Sequence, residues 1–150
     1  MPSIYRFMWF TVAVILVMFS GAIMAAQKPA ILMMAEGDDH GTHLVTEDGI
    51  SVYLFMADEP HSGQSACQDQ CLVFWHPVWT NEEPQAEDGV HKDELSYIRR
   101  SAGSFQATYN GWPLYTFVQD QNPGEAHGQA MNSFNGYWYL VTLDGEPVKP

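Results

Sequence analysis

Tyr109-Asn-Gly-Trp-Pro-Leu-Tyr-Thr-Phe-Val-Gln-Asp120 reads as a β-hairpin turn with the strand that leaves it. Asn110-Gly111 is the favoured pair for a two-residue type I′ turn, because both central residues need φ > 0 and these two tolerate it best. The flanks alternate with the period of a strand. Phe105, Ala107 and Tyr109 share one face on the way in, and Tyr115 and Phe117 share one on the way out. Pro113 has no N–H for a ladder, so it suits an edge or the non-bonded side of its strand.

The stretch has a copy. Shifting it by 62 residues sets Asn110-Gly111 on Asp48-Gly49 without a gap, with Tyr115 on Tyr53, Phe117 on Phe55 and Asp120 on Asp58. Two hairpins, each leaving through Tyr-x-Phe-x-x-Asp, define an internal repeat.

These residues resemble the secreted repeat of unknown function, a family of predicted bacterial lipoproteins marked by Tyr-x-(Phe/Trp/Tyr)-x-x-Asp. The likeness extends through Ser65, Cys67, Cys71, Trp75 and Pro77 in the first copy. In the second it covers Tyr109 to Tyr115, then Gly124, Gly128 and Trp138, so it spans His43 to Gly145. The resemblance implies a two-repeat architecture and an exported compartment, and it implies no reaction.

Residues 1–26 read as an export signal. Arg6 supplies a positive start, Phe7 to Phe19 is apolar, and Met24-Ala-Ala26 offers small residues for cleavage. The apolar run falls short of the roughly 20 residues a spanning helix needs, so no stable membrane span is expected after cleavage. The alternative is an uncleaved N-terminal anchor. No Cys lies near the cleavage region, so the lipidation usual in the family is not expected. The expected compartment is the periplasm or the exterior. The net charge is −12, and losing Arg6 makes the processed chain one unit more negative. So acidic a chain repels phosphate backbones and anionic membrane surfaces, which excludes nucleic acid as a natural partner.

Residues 27–41 read as a linker or an irregular first strand ending in Glu36-Gly-Asp-Asp-His40. Asp38, Asp39 and His40 are cation-ligand types, but in such an arm they read first as solvated. Residues 42–150 form one domain, with repeat one over about 42–80 and repeat two over about 95–148. Ser65 and Gln68 suggest a capping box and a short helix from near Ala66, carrying Cys67, Cys71 and Phe74 on one face and ending before Pro77. Residues 81–93 and 120–133 read as loops, 137–142 as a strand, and Asp144-Gly145 as a third turn. The expected fold is mainly β: a small antiparallel barrel-like or sandwich domain of two hairpin units with one short helix.

Chemistry is sparse. Tyr53, Phe55, Tyr115 and Phe117 read as cross-strand core pairs, and Asp58 and Asp120 as caps of the following turns. Cys67 and Cys71 should pair in an oxidising compartment. Helical i,i+4 Cβ atoms lie about 5–6 Å apart, whereas a disulfide needs about 3.5–4.5 Å. Pairing therefore places Cys67 outside the first helical turn or distorts that turn. The alternative is a soft copper or zinc site of reduced Cys67 and Cys71 with His76, His127 and Met131. Trp75, Trp79, Trp112 and Trp138 supply core or, where exposed, a stacking platform for a sugar or peptide. No Gly-x-Ser-x-Gly and no phosphate loop occurs.

The function expected from sequence is a non-enzymatic, exported binding or structural module of the cell envelope. Its partner would be a protein or other envelope component, with no cofactor. The alternative is a periplasmic copper-binding or electron-transfer accessory protein. If the motif aromatics are core, Tyr115→Ala and Phe117→Ala each cost on the order of 3–5 kcal/mol in denaturant unfolding. An unchanged melting temperature in either soluble variant would contradict the core assignment.

Overall fold

The computed structural model describes residues 28–37 and 39–150. The expected leader and Asp38 lie outside the described residues. Residues 31–37, read as a linker or irregular strand, form a regular strand, β1 (Ile31–Gly37), antiparallel to β2 (Gly41–Thr46) from Leu32↔Thr46 to Gly37↔Gly41. The short strand β6 (Gln85–Ala86) joins β1 in parallel, placing a strand inside the expected loop 81–93.

The turns carry the first surprise. Asn110 and Gly111 both have positive φ, 46° and 76°, as a two-residue type I′ turn requires. At Asp48-Gly49 only the glycine does. There Gly49 N–H donates to Thr46 O and Thr46 N–H to Ile50 O, closing a three-residue loop with glycine as the bulge. Asp144-Gly145 repeats this pattern between Thr142 and Glu146. One extra loop residue slips the incoming arm by one position. The two copies are therefore gapless only on their outgoing arms.

The outgoing arms also part from their hairpins. In the second copy β8 (Phe105–Tyr109) pairs briefly with β9 (Trp112–Pro113), and then β10 (Tyr115–Phe117) diverges. In the first copy a single Val45↔Ser51 bridge precedes β3 (Tyr53–Phe55). The two exit strands pair with each other, antiparallel, at Tyr115↔Tyr53. Each is flanked on its far side by a strand carrying a tryptophan. β4 (Trp75–Pro77) sets Trp75 opposite Phe117, and β12 (Gly136–Leu140) sets Trp138 opposite Phe55. With β11 (Asn132–Ser133) at its edge, this makes a five-stranded sheet of order β11-β12-β3-β10-β4. The third sheet contains β5 (Trp79–Thr80), β8 and β7 (Leu95–Arg99), with β9 attached to β8.

Period-two alternation gives the central sheet two different faces. Tyr53, Phe55, Tyr115, Phe117, Trp75 and Trp138 pack on one side with the disulfide sulfurs. Leu54, Val52 and Leu114 belong to an aliphatic core shared with Leu32, Leu44, Leu95 and Ala107 of the outer sheets. The backbone links these layers. Val78 N–H donates to Leu114 O, Leu114 N–H to Ala107 O and Ala107 N–H to Val78 O; in the first copy Val52 N–H donates to Leu44 O and Leu44 N–H to Val141 O, two of the same three bonds. The fold is thus mainly β and curled into a half-barrel, as expected.

The helix is shorter than the capping-box reading gives. α1 covers Cys71–Phe74 alone, because Ser65 Oγ accepts the N–H of Cys67, two residues on, and Asp69 adopts φ 48°. Phe74 consequently leaves the shared face with the cysteines and is 43% exposed.

On the aromatic side, the rings form a continuous stack, Phe55–Trp138–Trp75–Phe117, with centroid separations of 4.0, 3.8 and 4.4 Å. Tyr53 meets Trp75 edge-on and Tyr115 meets Trp138 the same way. Gly128 lies against this stack; a Cβ there would come within 2.6 Å of Trp75 and 3.1 Å of Tyr53. Gly128→Ala should lower stability by about 1–3 kcal/mol, the range for overpacking. Equal chemical-denaturation midpoints for the variant and the parent would show that the stack can yield.

Candidate functional site

The motif residues converge on one place, and each copy completes the other. Tyr53 O–H donates to Asp120 Oδ2 at 2.5 Å, and Tyr115 O–H donates to Asp58 Oδ2 at 2.7 Å. This crossing follows from the pairing of β3 with β10, which carries each phenol beyond its own strand into the loop of the opposite copy. Asp58 and Asp120 begin those loops, their N–H groups bonding to Phe55 O and Phe117 O. The second oxygen of each carboxylate holds its own loop. Asp58 Oδ1 accepts Ala66 N–H at 2.6 Å, and Asp120 Oδ1 accepts His127 N–H at 2.9 Å. Turn capping by these aspartates is thus as expected, while the bond to the opposite tyrosine is additional.

The surroundings set the protonation. Burial, followed by the bond and charge of Asp120, holds the Tyr53 phenol far above its ordinary range. Burial and then the Asp58 charge do the same for Tyr115. Both phenols therefore stay donors. Burial also pushes Asp58 up to about 6, opposed by the Ala66 N–H, the Tyr115 hydroxyl and the positive charge of Arg100.

Arg100 was not legible as part of this site; it lies one residue beyond β7 and is buried like Ile98, two positions before it. Its Nη2 donates to Cys67 O at 2.7 Å. Gln106 is also buried and donates Nε2 to Leu114 O at 2.8 Å. Among the described residues, Arg100 Nη1 and Gln106 Oε1 are buried without a hydrogen-bond partner.

The two loops differ in what they add. In the first copy Cys67 and Cys71 form a disulfide, with Cα atoms 5.3 Å apart and Cys67 outside the helix, as the geometry of pairing demands. In the second, His127 Nδ1 sits 2.9 Å from Asp120 Oδ1. The ligands of the soft-metal alternative lie in different settings. Both sulfurs are in the disulfide, His76 lies in a groove beside Trp79, and Met131 packs against the aromatic cluster. Trp75 and Trp138 are core, Trp112 is half-buried and Trp79 is 47% exposed.

A family model described as "Secreted repeat of unknown function" matches twice, over residues 35–79 and 96–142. The chain belongs to this family. The two matched segments coincide with the two structural copies, and each contains one motif tyrosine, phenylalanine and aspartate together with its tryptophan. No curated protein and no solved structure matches the chain. Among the described residues, no helix is long and apolar enough to cross a membrane.

Asp58 makes the stability of this secreted repeat protein depend on pH with a defined sign. The folded state holds its proton more tightly than an unfolded chain with the ordinary value of 3.8. Its contribution is therefore full below pH 3.8 and is lost as the pH rises through about 6. A difference of about two pH units corresponds to on the order of 3 kcal/mol. The unfolding free energy of the parent minus that of Asp58→Asn, measured by denaturant at pH 4, 5, 6 and 7, should fall across this series. A difference independent of pH would show that Asp58 binds its proton no more tightly in the folded protein than in the unfolded chain.

Proposed function

We propose that the protein is a non-enzymatic binding module of the cell envelope, working in the periplasm or outside the cell. The observation that supports this reading is the closed Tyr–Asp exchange. The four reactive groups that mark the family are bonded to one another and to loop backbone, in positions that hold a frame. Ligand contact then falls to the surface that the frame presents.

The groove beside Trp79 offers such a surface. It has a volume of about 450 Å³ and is walled by Ile31, Ile50, His76 and Val118, with Lys28 and Glu47 at its polar margin. That size is within the range of roughly 300–1,000 Å³ seen for small-ligand sites. An indole face open to solvent stacks on a sugar ring, and carboxylate and hydroxyl groups around it accept and donate to sugar hydroxyls. The lining has both signs of charge, which suits a neutral ring better than an anion. A glycan of the envelope is the ligand class we assign.

Amide NMR shifts during titration with neutral oligosaccharides and peptidoglycan fragments test this. Shifts should concentrate at residues 28–31, 46–50 and 76–79. Trp79→Ala should weaken binding about tenfold, equivalent to about 1.4 kcal/mol, without lowering the melting temperature. Saturating glycan that leaves these amides unmoved, or undiminished binding by Trp79→Ala, would sink the assignment.

A further inference from the structure

A second hollow, of about 270 Å³, lies between the β1–β2 turn and the loop ending at His127. Three histidines line it. His43 is buried, and both its ring nitrogens are occupied, Nδ1 at 3.0 Å from Gly41 O and Nε2 at 3.0 Å from Ser51 Oγ. It is a wall. His40 and His127 are exposed, and Glu125 and Asp39 stand beside them.

His127 is set up differently from a solvated surface histidine. Asp120 Oδ1 already accepts the His127 main-chain N–H, and a carboxylate can only accept, so Nδ1 carries the ring proton. The lone pair is then on Nε2, on the far side of the ring from Asp120. The carboxylate is fully buried while the imidazole is 54% exposed, so orientation comes from inside and access from outside. A buried acceptor on one imidazole nitrogen fixes tautomer and direction in metal-ligating histidines generally. One ligating atom from each of Asp120, Glu125 and His127 lies within 4.8 Å of the others. Asp120 is the orienting member, because its oxygens already hold Tyr53 and His127 and it is fully buried. Glu125 also holds its own loop, Oε2 accepting the Gln121 and Asn122 N–H groups and Oε1 the Asn122 side-chain amide, which leaves a lone pair on Oε1 at the surface.

We propose that His40, Glu125 and His127 form a binding site for a divalent transition-metal ion, with Asp120 positioning His127. Two imidazoles and a carboxylate are a borderline donor set, which favours Zn(II) and Cu(II) over the all-oxygen shells of Ca(II) and Mg(II). Asp39 stands at the same rim as an additional oxygen donor. The net charge of −12 raises the local concentration of cations around the hollow. The site uses neither cysteine, so it is compatible with the disulfide. It shares none of its three ligands with the Trp79 groove, although Asp120, which orients His127, also lines that groove.

The test is calorimetric titration of the untagged protein with ZnSO4 and, separately, with CuCl2, joined to electron paramagnetic resonance of the Cu(II) form. One ion per chain is expected, with two imidazole nitrogens coupled to Cu(II). His40→Ala and His127→Ala should each weaken binding at least about tenfold and each remove one coupled nitrogen. His91→Ala, on an exposed histidine that does not line the hollow, should leave both readings unchanged. If His127→Ala does not fold, His40→Ala and Glu125→Gln carry the same test. Absence of stoichiometric binding, or binding indifferent to His40 and His127 together, would overturn the proposal.

Discussion

The crossed pair of hydrogen bonds, Tyr53 to Asp120 and Tyr115 to Asp58, is the constraint on which the rest of the structure depends. A buried carboxylate is tolerated only with donors around it, and here the donor comes from the opposite copy. Removing either phenol leaves an acceptor stranded in the interior. Neither copy can therefore satisfy its own motif. Strands of both copies share one five-stranded sheet, joined at the antiparallel meeting of β3 and β10.

The aromatic stack is the apolar counterpart of that exchange. Trp75 and Trp138 lie face to face across the same joint, 3.8 Å apart and nearly parallel at 2°. Each tryptophan is backed by the phenylalanine of the strand it pairs with and met by the edge of one motif tyrosine. Burial of four large rings supplies non-directional stabilisation, and the phenol–carboxylate bonds supply register. A one-residue slip between β3 and β10 would turn the aromatics to the wrong face and break both bonds at once.

Much of this was legible from residues, and what was hidden has physical causes. Asn110-Gly111 announces its turn because few other pairs accept positive φ at both positions. Asp48-Gly49 looks equivalent, yet three loop residues replace two there, and nothing in the dipeptide reports the flanking register. The pairing of exit strands with each other is a tertiary choice between two equally alternating partners. Capping chemistry at Ser65 misled for a related reason. A hydroxyl that can bond two residues ahead competes with the helix it would otherwise start. The Cys67–Cys71 bond follows from compartment and geometry together. Among the metal-ligand candidates raised from sequence, His127 is oriented by a contact with Asp120 that a one-dimensional reading does not contain.

The symmetry of the core also locates the asymmetry of the molecule. Both copies need the aspartate, the tyrosine and a loop whose backbone donates to that aspartate, so these positions carry little freedom. The loop side chains are under no such demand. In the first copy the segment after Asp58 is stapled by the disulfide, and Arg100 donates to Cys67 O. In the second the corresponding segment has no cysteine, and His127 donates its ring proton to the same carboxylate that holds its backbone. Both devices stiffen a loop, but they differ in what they expose. A disulfide turns its sulfurs toward the aromatic cluster and presents nothing reactive. An imidazole bound at Nδ1 presents a lone pair at Nε2. The first loop is thus a closed solution and the second an open one.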